Sequence, residues 1–447
     1  MEEHQALKRD RWLAMGTRIA RWLKRGSSLK WLYPGLGVKR WLALLLFSIT
    51  LISLGVGYLL RDLYAVWEFP PVFYYLTLQF IPRWGRALLF GAVGIAGVAV
   101  AVIQLSRSLL MPFLRPGQPS VVDTLYQHRQ RERGPKVVAL GGGTGLSTLL
   151  RGLKEHTTHI TAIVTVADDG GSSGRLRREL GVLPPGDFRN CIAALADAEA
   201  LTVQLFQYRF GQGMGLNGHS FGNLFIAAMA GVTGSFERAI LESSRVLAVR
   251  GRILPSTLQD VTLCADLRAE SSAGPGWVEG ESQITATELP IERVFLQPDG
   301  VRAYPEALRA ILDADLIVAG PGSLFTSVLP NLLVEDIARA VRASRALKVF
   351  VCNVANQPGE TDGFTLGDHV AALERHVGRG VFPYVLANTR RPPSLADHPA
   401  IDPVPLIYEP GRAYQVLEAD LVDENEPWRH DPSKLANELM AFYESLR

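Results

Sequence analysis

The sequence predicts an α/β protein with a three-layer, Rossmann-like, mainly parallel sheet and a small β-rich insertion, preceded by two transmembrane helices. Three observations lead to this prediction. From Lys136 onward, short apolar runs alternate with helical stretches, as in a parallel sheet with crossover helices. Two of these runs end in glycine-rich loops that open helices. Before Lys136, two stretches of about 20 residues carry no charge.

Charge divides the chain into two parts. Residues 1–135 carry 18 basic and 7 acidic side chains, net +11, whereas residues 136–447 carry 28 basic and 37 acidic side chains, net −9. A basic front on an acidic body favours membrane contact and argues against nucleic-acid binding. The three widely spaced cysteines, Cys191, Cys264 and Cys352, argue against a disulfide framework or a zinc site and indicate a reducing compartment.

A two-span membrane hairpin is predicted over residues 41–106, with spans at 41–60 and 87–106, each long enough to cross a roughly 30 Å hydrocarbon layer. The first 40 residues hold ten Lys or Arg, whereas the loop between the spans has three arginines opposed by two acids. The positive-inside rule therefore predicts a multi-pass protein of the cell membrane, with both termini and the main domain in the cytoplasm. A buried core helix is the alternative for each stretch.

The segments that flank the hairpin are polar and basic. In the N-terminal segment, residues 1–40, Trp12, Met15 and Ile19 recur at helical spacing among arginines and lysines. This pattern fits a helix lying on anionic lipid, and a solvated basic tail is the alternative. Residues 107–135 are interpreted as a linker.

The soluble body, residues 136–447, is predicted to hold the parallel sheet. The candidate strands are Lys136–Leu140, Ile160–Ala167, Leu316–Ala319, Leu347–Val354 and Val381–Ala387. The candidate helices include Leu146–Lys154, Ser220–Gly231 and Leu332–Ala343. A middle stretch, roughly Arg252–Gln297, is richer in Thr, Glu, Gly and β-branched residues and is interpreted as the β-rich insertion.

Glycine-rich loop one, Gly141–Gly145, follows a strand and opens a helix. Glycines let the backbone approach an anion, and the helix presents free N–H groups and the positive end of its dipole. Leu146 stands where the dinucleotide fingerprint has its third glycine, and the Gly-Lys-Ser/Thr of a P-loop does not follow. The loop predicts a phosphate-bearing ligand, with a tight ligand-free turn as the alternative.

Three aspartates lie on loops after the second strand. Asp168 comes 23 residues after Gly145, close to the roughly 20-residue spacing of a ribose-binding acid, and Asp169 follows it. Asp187 lies in a further Pro-Gly turn. These carboxylates could hold a ribose hydroxyl, coordinate Mg²⁺ beside a diphosphate, or cap the next helices.

Glycine-rich loop two, Gly320–Thr326, repeats the pattern of strand, glycines and helix. Two such loops on one sheet predict a crevice that grips both ends of an elongated ligand. The polar loop Asn356–Asp362 is expected at the same edge. His219 and Asn223 open another helix; His219 alone is consistent with a core or surface histidine, and Asn223 with a cap or a contact to a base or sugar.

Six strings stand out, in one order, between Lys136 and the C-terminal region: GGGTGLSTLLRGLK, TAIVTVADDGGSSGRLR, PPGDFRNCIAALAD, GHSFGNL, GPGSLFTSVLPNLLV and QPGETDGF. Together they resemble the gluconeogenesis factor (YvcK) family, which is related in fold to the 2-phospho-L-lactate transferases (CofD). The membrane hairpin is an addition to the usual soluble form. Ala355-Asn356 stands where many relatives have Met-Thr or Ala-Thr, and Ala269–Gly280 looks longer than usual.

The resemblance implies a CofD-like domain that binds UDP-sugars, and a role in cell-wall balance or cell shape when carbon is scarce. The nucleotide-binding candidates that it implies are Gly142, Gly143, Thr144, Asp168, Asp169, Asn190, His219, Asn223, Gly322 and Ser323. The transferase relatives use a divalent metal held by aspartates, which in this chain would be Asp168, Asp169 and Asp187.

Two functions remain as hypotheses. The preferred one is a membrane-anchored sensor that binds a UDP-sugar or related nucleotide diphosphate, without a certain cofactor. The alternative is a metal-dependent 2-phospho-L-lactate transferase-like enzyme that uses Mg²⁺. A dinucleotide-dependent oxidoreductase is weakened by the missing third glycine. No catalytic residue identifies itself; a nucleotide sugar and the membrane are the expected partners, nucleic acid is not, and a homodimer stays open.

Overall fold

The computed structural model describes residues 38–66, 70–110, 130–213, 215–268, 276–287, 289–390, 402–409 and 413–447. The chain divides into two compact units, Met1–Gln130 and Arg131–Arg447, which are described separately. Nearly all of the predicted lipid-binding segment, most of the predicted linker and the start of the stretch Ala269–Gly280 lie outside the described residues.

The first unit is helical where it is described. It contains α1 (Val38–Val66), the short α2 (Val72–Leu76) and α3 (Arg83–Leu110). Among the described residues one segment, Ala43–Leu63, is long and apolar enough to cross a membrane, and it is not buried within the protein. The second predicted span lies within α3, and its passage through a membrane remains a prediction.

The second unit is built on a parallel sheet, as predicted, and this sheet has seven strands. Its strands are β1 (Val137–Gly141), β2 (Ile160–Val164), β3 (Arg252–Pro255), β7 (Leu316–Ala319), β8 (Leu347–Val351), β9 (Tyr384–Asn388) and β10 (Gln415–Ala419). Their order is β10-β9-β8-β7-β1-β2-β3. All neighbouring pairs are parallel, for example Val137 with Ile160 and with Leu316. All five residues of β1 and all four residues of β7 are buried, so the core surrounds the middle of the sheet.

The insertion is a three-stranded antiparallel sheet in the order β5-β4-β6. It contains β4 (Thr262–Leu267), β5 (Gly276–Glu279) and β6 (Ile291–Gln297). The predicted start at Arg252 is wrong, because Arg252–Pro255 pairs with β2 as an edge strand of the main sheet. Pro255 has no N–H to donate to a ladder, so the edge is the place where a strand tolerates it.

Helices flank the sheet. They are α4 (Gly143–Leu153), α5 (Gly171–Leu180), α6 (Gly186–Leu195), α7 (Ala200–Gln207), α8 (Phe221–Thr233), α9 (Phe236–Val246), α10 (Glu281–Ile284), α11 (Pro305–Leu312), α12 (Leu329–Leu332), α13 (Glu335–Ala343), α14 (Leu366–Val377) and α15 (Pro432–Ser445). A π-helical turn, Leu324–Val328, precedes α12. The helix predicted over Leu332–Ala343 is divided, because Val334 is extended. Helix α13 then begins with Glu335 and Asp336, whose negative charges lie at the positive end of the helix dipole.

Strand order reverses between β1 and β7. The chain continues from β1 to β2 on one side, whereas β7 and the later strands extend on the other side. In open parallel sheets this reversal opens a crevice at the carboxyl ends of the strands, where ligands bind. The three cysteines are buried and free, in agreement with the expectation of unpaired thiols.

Candidate functional site

A cavity of about 620 Å³ lies at this reversal point. Its wall combines backbone of both glycine-rich loops, hydroxyl groups, carboxylates, and residues from two later segments of the chain. Eight of the sequence-predicted candidates line it: Gly142, Gly143, Thr144, Asp168, Asp187, Asn190, Gly322 and Ser323. Its volume is in the range of pockets that enclose nucleotide-sized ligands.

The two glycine-rich loops lie side by side. They follow β1 and β7, which are hydrogen-bonded neighbours, and a Cβ added to Gly145 would meet the backbone of Pro321 and Gly322. The expectation that the loops grip opposite ends of a ligand is therefore wrong. Both loops face the same part of any molecule that enters the cavity.

Loop two is closed from within by a carboxylate that the sequence did not single out. Glu360 is 4% exposed and accepts hydrogen bonds from the backbone N–H of Phe325 (3.3 Å) and from the hydroxyl of Thr326 (2.8 Å). The side chain of Asn353 pairs with both the N–H and the carbonyl of Gly322 at 3.2 and 3.0 Å. In loop two, a carboxyl group of the chain itself thus already accepts the N–H of Phe325 and the hydroxyl of Thr326.

Loop one keeps more of its backbone available. Helix α4 begins at Gly143, the preceding Gly142 has no side chain that could cap it, and Gly142, Thr144 and Gly145 line the cavity beside Gly143. Asp187 accepts the N–H of Gly143. The first turn of α4 beyond Gly143 is therefore the part of the site best suited to an anionic group.

Three carboxylates meet at the cavity: Asp168, Asp187 and Glu281. Each carboxylate is partly open to the cavity, but burial still raises its pKa. The pKa of Asp168 is raised, that of Asp187 rises to about 7, and that of Glu281 rises to about 8. Repulsion between the neighbouring carboxylates is the next cause for Asp187 and Glu281. Glu281 comes from the β-rich insertion, and the sequence offered no signal that this segment returns to the site.

Asp169 points to the insertion instead. Its carboxylate accepts the backbone N–H of Ser282 at 2.9 Å and lies against Gly280, so it caps the start of α10, which carries Glu281. Asp168 has a different role, because its carboxylate accepts the N–H of Gly170 at 2.9 Å while it faces the cavity. The two adjacent aspartates thus have different roles. Asp168 lines the site, and Asp169 holds the segment that brings Glu281 to it.

Asp169→Ala is expected to lower the free energy of unfolding by about 1 kcal/mol, the usual cost of a lost helix cap. Asp169→Asn should lose less, since its amide oxygen still accepts the N–H of Ser282. Thermal unfolding of the three proteins measures this difference. Loss of nucleotide binding in a stable Asp169→Asn variant would contradict the capping role and place the charge in the site.

His219 and Asn223 lie behind the cavity wall in a buried polar cluster. The hydroxyl of Ser172 is 2.9 Å from Nδ1 of His219 and accepts the side-chain N–H of Asn223 at 3.1 Å. His219 is 3% exposed, and burial is the main cause that lowers its pKa. Neither residue lines the cavity, so their direct contacts hold α5 to the start of α8.

Arg189 connects this cluster to the site. It donates to the hydroxyl of Ser220 at 2.6 Å and to Oδ1 of Asn190 at 2.8 Å, and Asn190 lines the cavity. The bond to Oδ1 fixes which way the amide of Asn190 faces. Arg189 is therefore a positioning residue for a sequence-predicted candidate.

The remaining wall comes from the chain before α15 and from the polar loop after β8. Trp428, Arg429 and His430 line the cavity, as do residues 353–358. The polar loop was expected at this edge, whereas residues 428–430 were missed. The Asp-Pro that opens α15 was a readable helix start, and Asp431 caps it through the N–H groups of Ser433 and Lys434.

The carboxylates of the cavity are candidate ligands of a magnesium ion. Among the described residues, no group of three or more His, Cys, Asp or Glu side chains converges as a ready-made metal cage. Mg²⁺, however, is commonly held by one or two carboxylates together with substrate phosphates and water. Asp168 and Asp187, whose charges repel one another beside the start of α4, fit that kind of site.

Comparison with known proteins agrees with this architecture. The family model for 2-phospho-L-lactate transferase CofD matches residues 137–441. The gluconeogenesis factor of Bacillus subtilis (strain 168) is 47% identical over 313 residues, covering 68% of this chain and 97% of that protein. A protein of Nostoc sp. (strain PCC 7120) is 44% identical over 450 residues, covering 95% of this chain and 93% of its own length.

A solved structure also matches. The crystal structure of a member of the UPF0052 family from Bacillus halodurans superposes with a TM-score of 0.64 at 45% identity, covering 69% of this chain and 99% of that chain. The strand order, the site at the carboxyl edge and these similarities agree with one another, and the chain belongs to the CofD family, among relatives that are named gluconeogenesis factors.

Proposed function

We propose that this protein binds a UDP-sugar, or a related nucleoside diphosphate, in the cavity at the strand reversal. We further propose that ligand binding regulates cell shape and cell-wall balance during growth on gluconeogenic carbon. The observation that carries the proposal is the cavity itself, of about 620 Å³, with the start of α4 at one wall and hydroxyl, amide and carboxylate groups around it. The name of the Bacillus subtilis relative supports the link to gluconeogenesis.

The regulator proposal includes a membrane anchor. Ala43–Leu63 supports one crossing by its length and composition, and the uncharged stretch within α3 supports a second. A regulator held at the membrane would sample nucleotide sugars where cell-wall precursors are used.

A transferase is the second candidate function, favoured by the three carboxylates at the cavity. In that case Asp168 and Asp187 would hold Mg²⁺, which neutralises negative charge on a diphosphate donor. The chain's own groups would then bind the diphosphate at the start of α4 and exclude water from the cavity.

A thermal-shift panel on the full chain separates these functions. We expect UDP-N-acetylglucosamine, at ten times its Kd, to stabilise the protein by roughly 1.4 kcal/mol with or without Mg²⁺. GDP and NAD, tested in the same way, should have little effect. A shift with GDP alone that requires Mg²⁺ would favour the transferase, and no shift with UDP-N-acetylglucosamine would contradict the proposed ligand.

Gly145→Ala is the matched site variant for this panel. Its Cβ would press on the backbone of Pro321 and Gly322 and so force the two loops apart. The variant should lose the UDP-N-acetylglucosamine shift while it still unfolds cooperatively. A normal shift in this variant would place the ligand away from loop one.

A further inference from the structure

Two residues that line the cavity carry buried hydrogen-bond acceptors without a partner among the described residues. His430 and Asn356 both line the cavity, and each is only 7% exposed. Nε2 of His430 and Oδ1 of Asn356 are buried, and neither has a hydrogen-bond partner among the described residues. Buried polar atoms are nearly always paired in folded proteins, so two orphans on one cavity wall indicate that something else completes them.

The chemistry of His430 follows from its other ring nitrogen. Nδ1 donates to the backbone carbonyl of Cys352, while burial lowers the pKa of the ring to about 4. The ring is therefore neutral at physiological pH, with its proton on Nδ1 and a lone pair on Nε2. Nε2 of His430 can therefore accept a hydrogen bond and cannot donate one.

Hydrogen bonds also fix the orientation of the Asn356 side chain. Its Nδ2 donates to the carbonyl of Phe364 at 3.0 Å and to the carboxylate of Asp402 at 2.8 Å. Both partners are acceptors, so the amide cannot be turned around without placing oxygen against oxygen. Oδ1 is thereby left as the free end, and Asn356, like His430, offers only an acceptor.

We infer that His430 and Asn356 are specificity-determining residues that select a ligand through the hydrogen-bond donors, hydroxyl or N–H, of its uncharged part. This inference rests on the proposed function. Phosphate groups at neutral pH offer acceptors and no useful donor, so they are excluded from this wall. The diphosphate then belongs at the start of α4, and the base or the sugar lies against His430 and Asn356.

Binding measured by calorimetry on the purified full chain tests this orientation, with UDP and UDP-N-acetylglucosamine as probes. His430→Leu removes the acceptor and should weaken binding about tenfold or more, since the ligand's donor is then buried unpaired. His430→Gln restores an acceptor on a side chain of similar reach and should recover most of the affinity.

His369 supplies the matched control. It is also buried, its Nδ1 lies 2.9 Å from the carbonyl of Thr365, and its Nε2 has no partner, but it does not line the cavity. His369→Leu should bind both probes as the wild type does. If His430→Leu fails to fold, Asn356→Ala takes its place in the same comparison.

The outcomes are distinct. Weaker binding of both probes places the donor on the uridine, and weaker binding of UDP-N-acetylglucosamine alone places it on the sugar; either supports the inference. Wild-type affinity in a folded His430→Leu protein for both probes overturns it. If the wild-type chain binds neither probe, the proposed function is wrong and the inference falls with it.

Discussion

Asp187→Asn is expected to stabilise the ligand-free protein by about 2–3 kcal/mol at pH 8 relative to its effect at pH 5. Burial raises the pKa of Asp187 from 3.8 to about 7, so the native state holds a proton that the unfolded chain has already lost. Stability from this group is complete below about pH 4 and is lost as the pH rises to about 7. Asparagine cannot ionise, but its oxygen still accepts the N–H of Gly143.

Thermal unfolding at pH 5 and pH 8, with a chelator present, measures the effect as a difference between variant and wild type. The comparison with wild type is needed because four buried or half-buried histidines also make stability depend on pH. They lower the free energy of unfolding as the pH falls below about 6.5, which is the opposite direction, and they do so in both proteins. These histidines, whose pKa values burial lowers, are His219, His369, His376 and His430. The exposed Asp299→Asn is the control, and an equal pH dependence in Asp187→Asn and wild type would contradict the prediction.

A site for a cation, or for a ligand rich in hydrogen-bond donors, would destabilise the ligand-free protein in this way. Asp168, Asp187 and Glu281 share one cavity, and their mutual repulsion remains until something neutralises it. A ligand that removes the repulsion gains affinity by the same free energy that the empty protein lacks. Under the proposed function, the carboxylates would favour binding at the expense of the stability of the free protein.

Local patterns in the sequence predicted the middle of the sheet well. Strands β1, β2 and β7 are buried on both faces, so they appear as short apolar runs that stop at glycine or polar residues. The edge strands β3 and β10 were missed because one is only four residues long with Pro255 in it, and the other is partly exposed. Edge strands bury less, so their composition carries less signal.

The site was predictable where one loop holds both the glycines and the polar groups, and not where distant segments meet. Loop one follows β1 and Asp168 follows β2, whereas Asp187 comes after α5, in the Pro-Gly turn that opens α6. Glu281 and His430 reach the same cavity through the insertion and the start of α15, which no local pattern reveals. Glu360 shows the converse, because loop two resembles an anion site in sequence, yet a carboxyl group of the same chain already accepts its hydrogen bonds.

Gly152→Ala is expected to lower the free energy of unfolding by about 2–3 kcal/mol, although alanine is the better helix former. Gly152 lies in α4, and an added Cβ would overlap the carbonyl oxygen of Pro432 and lie 2.7 Å from Cβ of Ala436 in α15. Gly231→Ala is the matched control, because it is also helical but has no atom within 4 Å of the added Cβ. It should be neutral or stabilising by up to about 1 kcal/mol.

The same contact joins two helices whose starts lie beside the cavity. Helix α4 carries loop one at its start and Thr148 one turn before Gly152, whereas α15 begins two residues after His430. Separation of the two helices would therefore move the acceptor wall away from the anion-binding start of α4. We expect Gly152→Ala to weaken UDP-N-acetylglucosamine binding in calorimetry as well as stability, and Gly231→Ala to leave both intact. Full affinity in a destabilised Gly152→Ala protein would show that a ligand does not bridge these two walls.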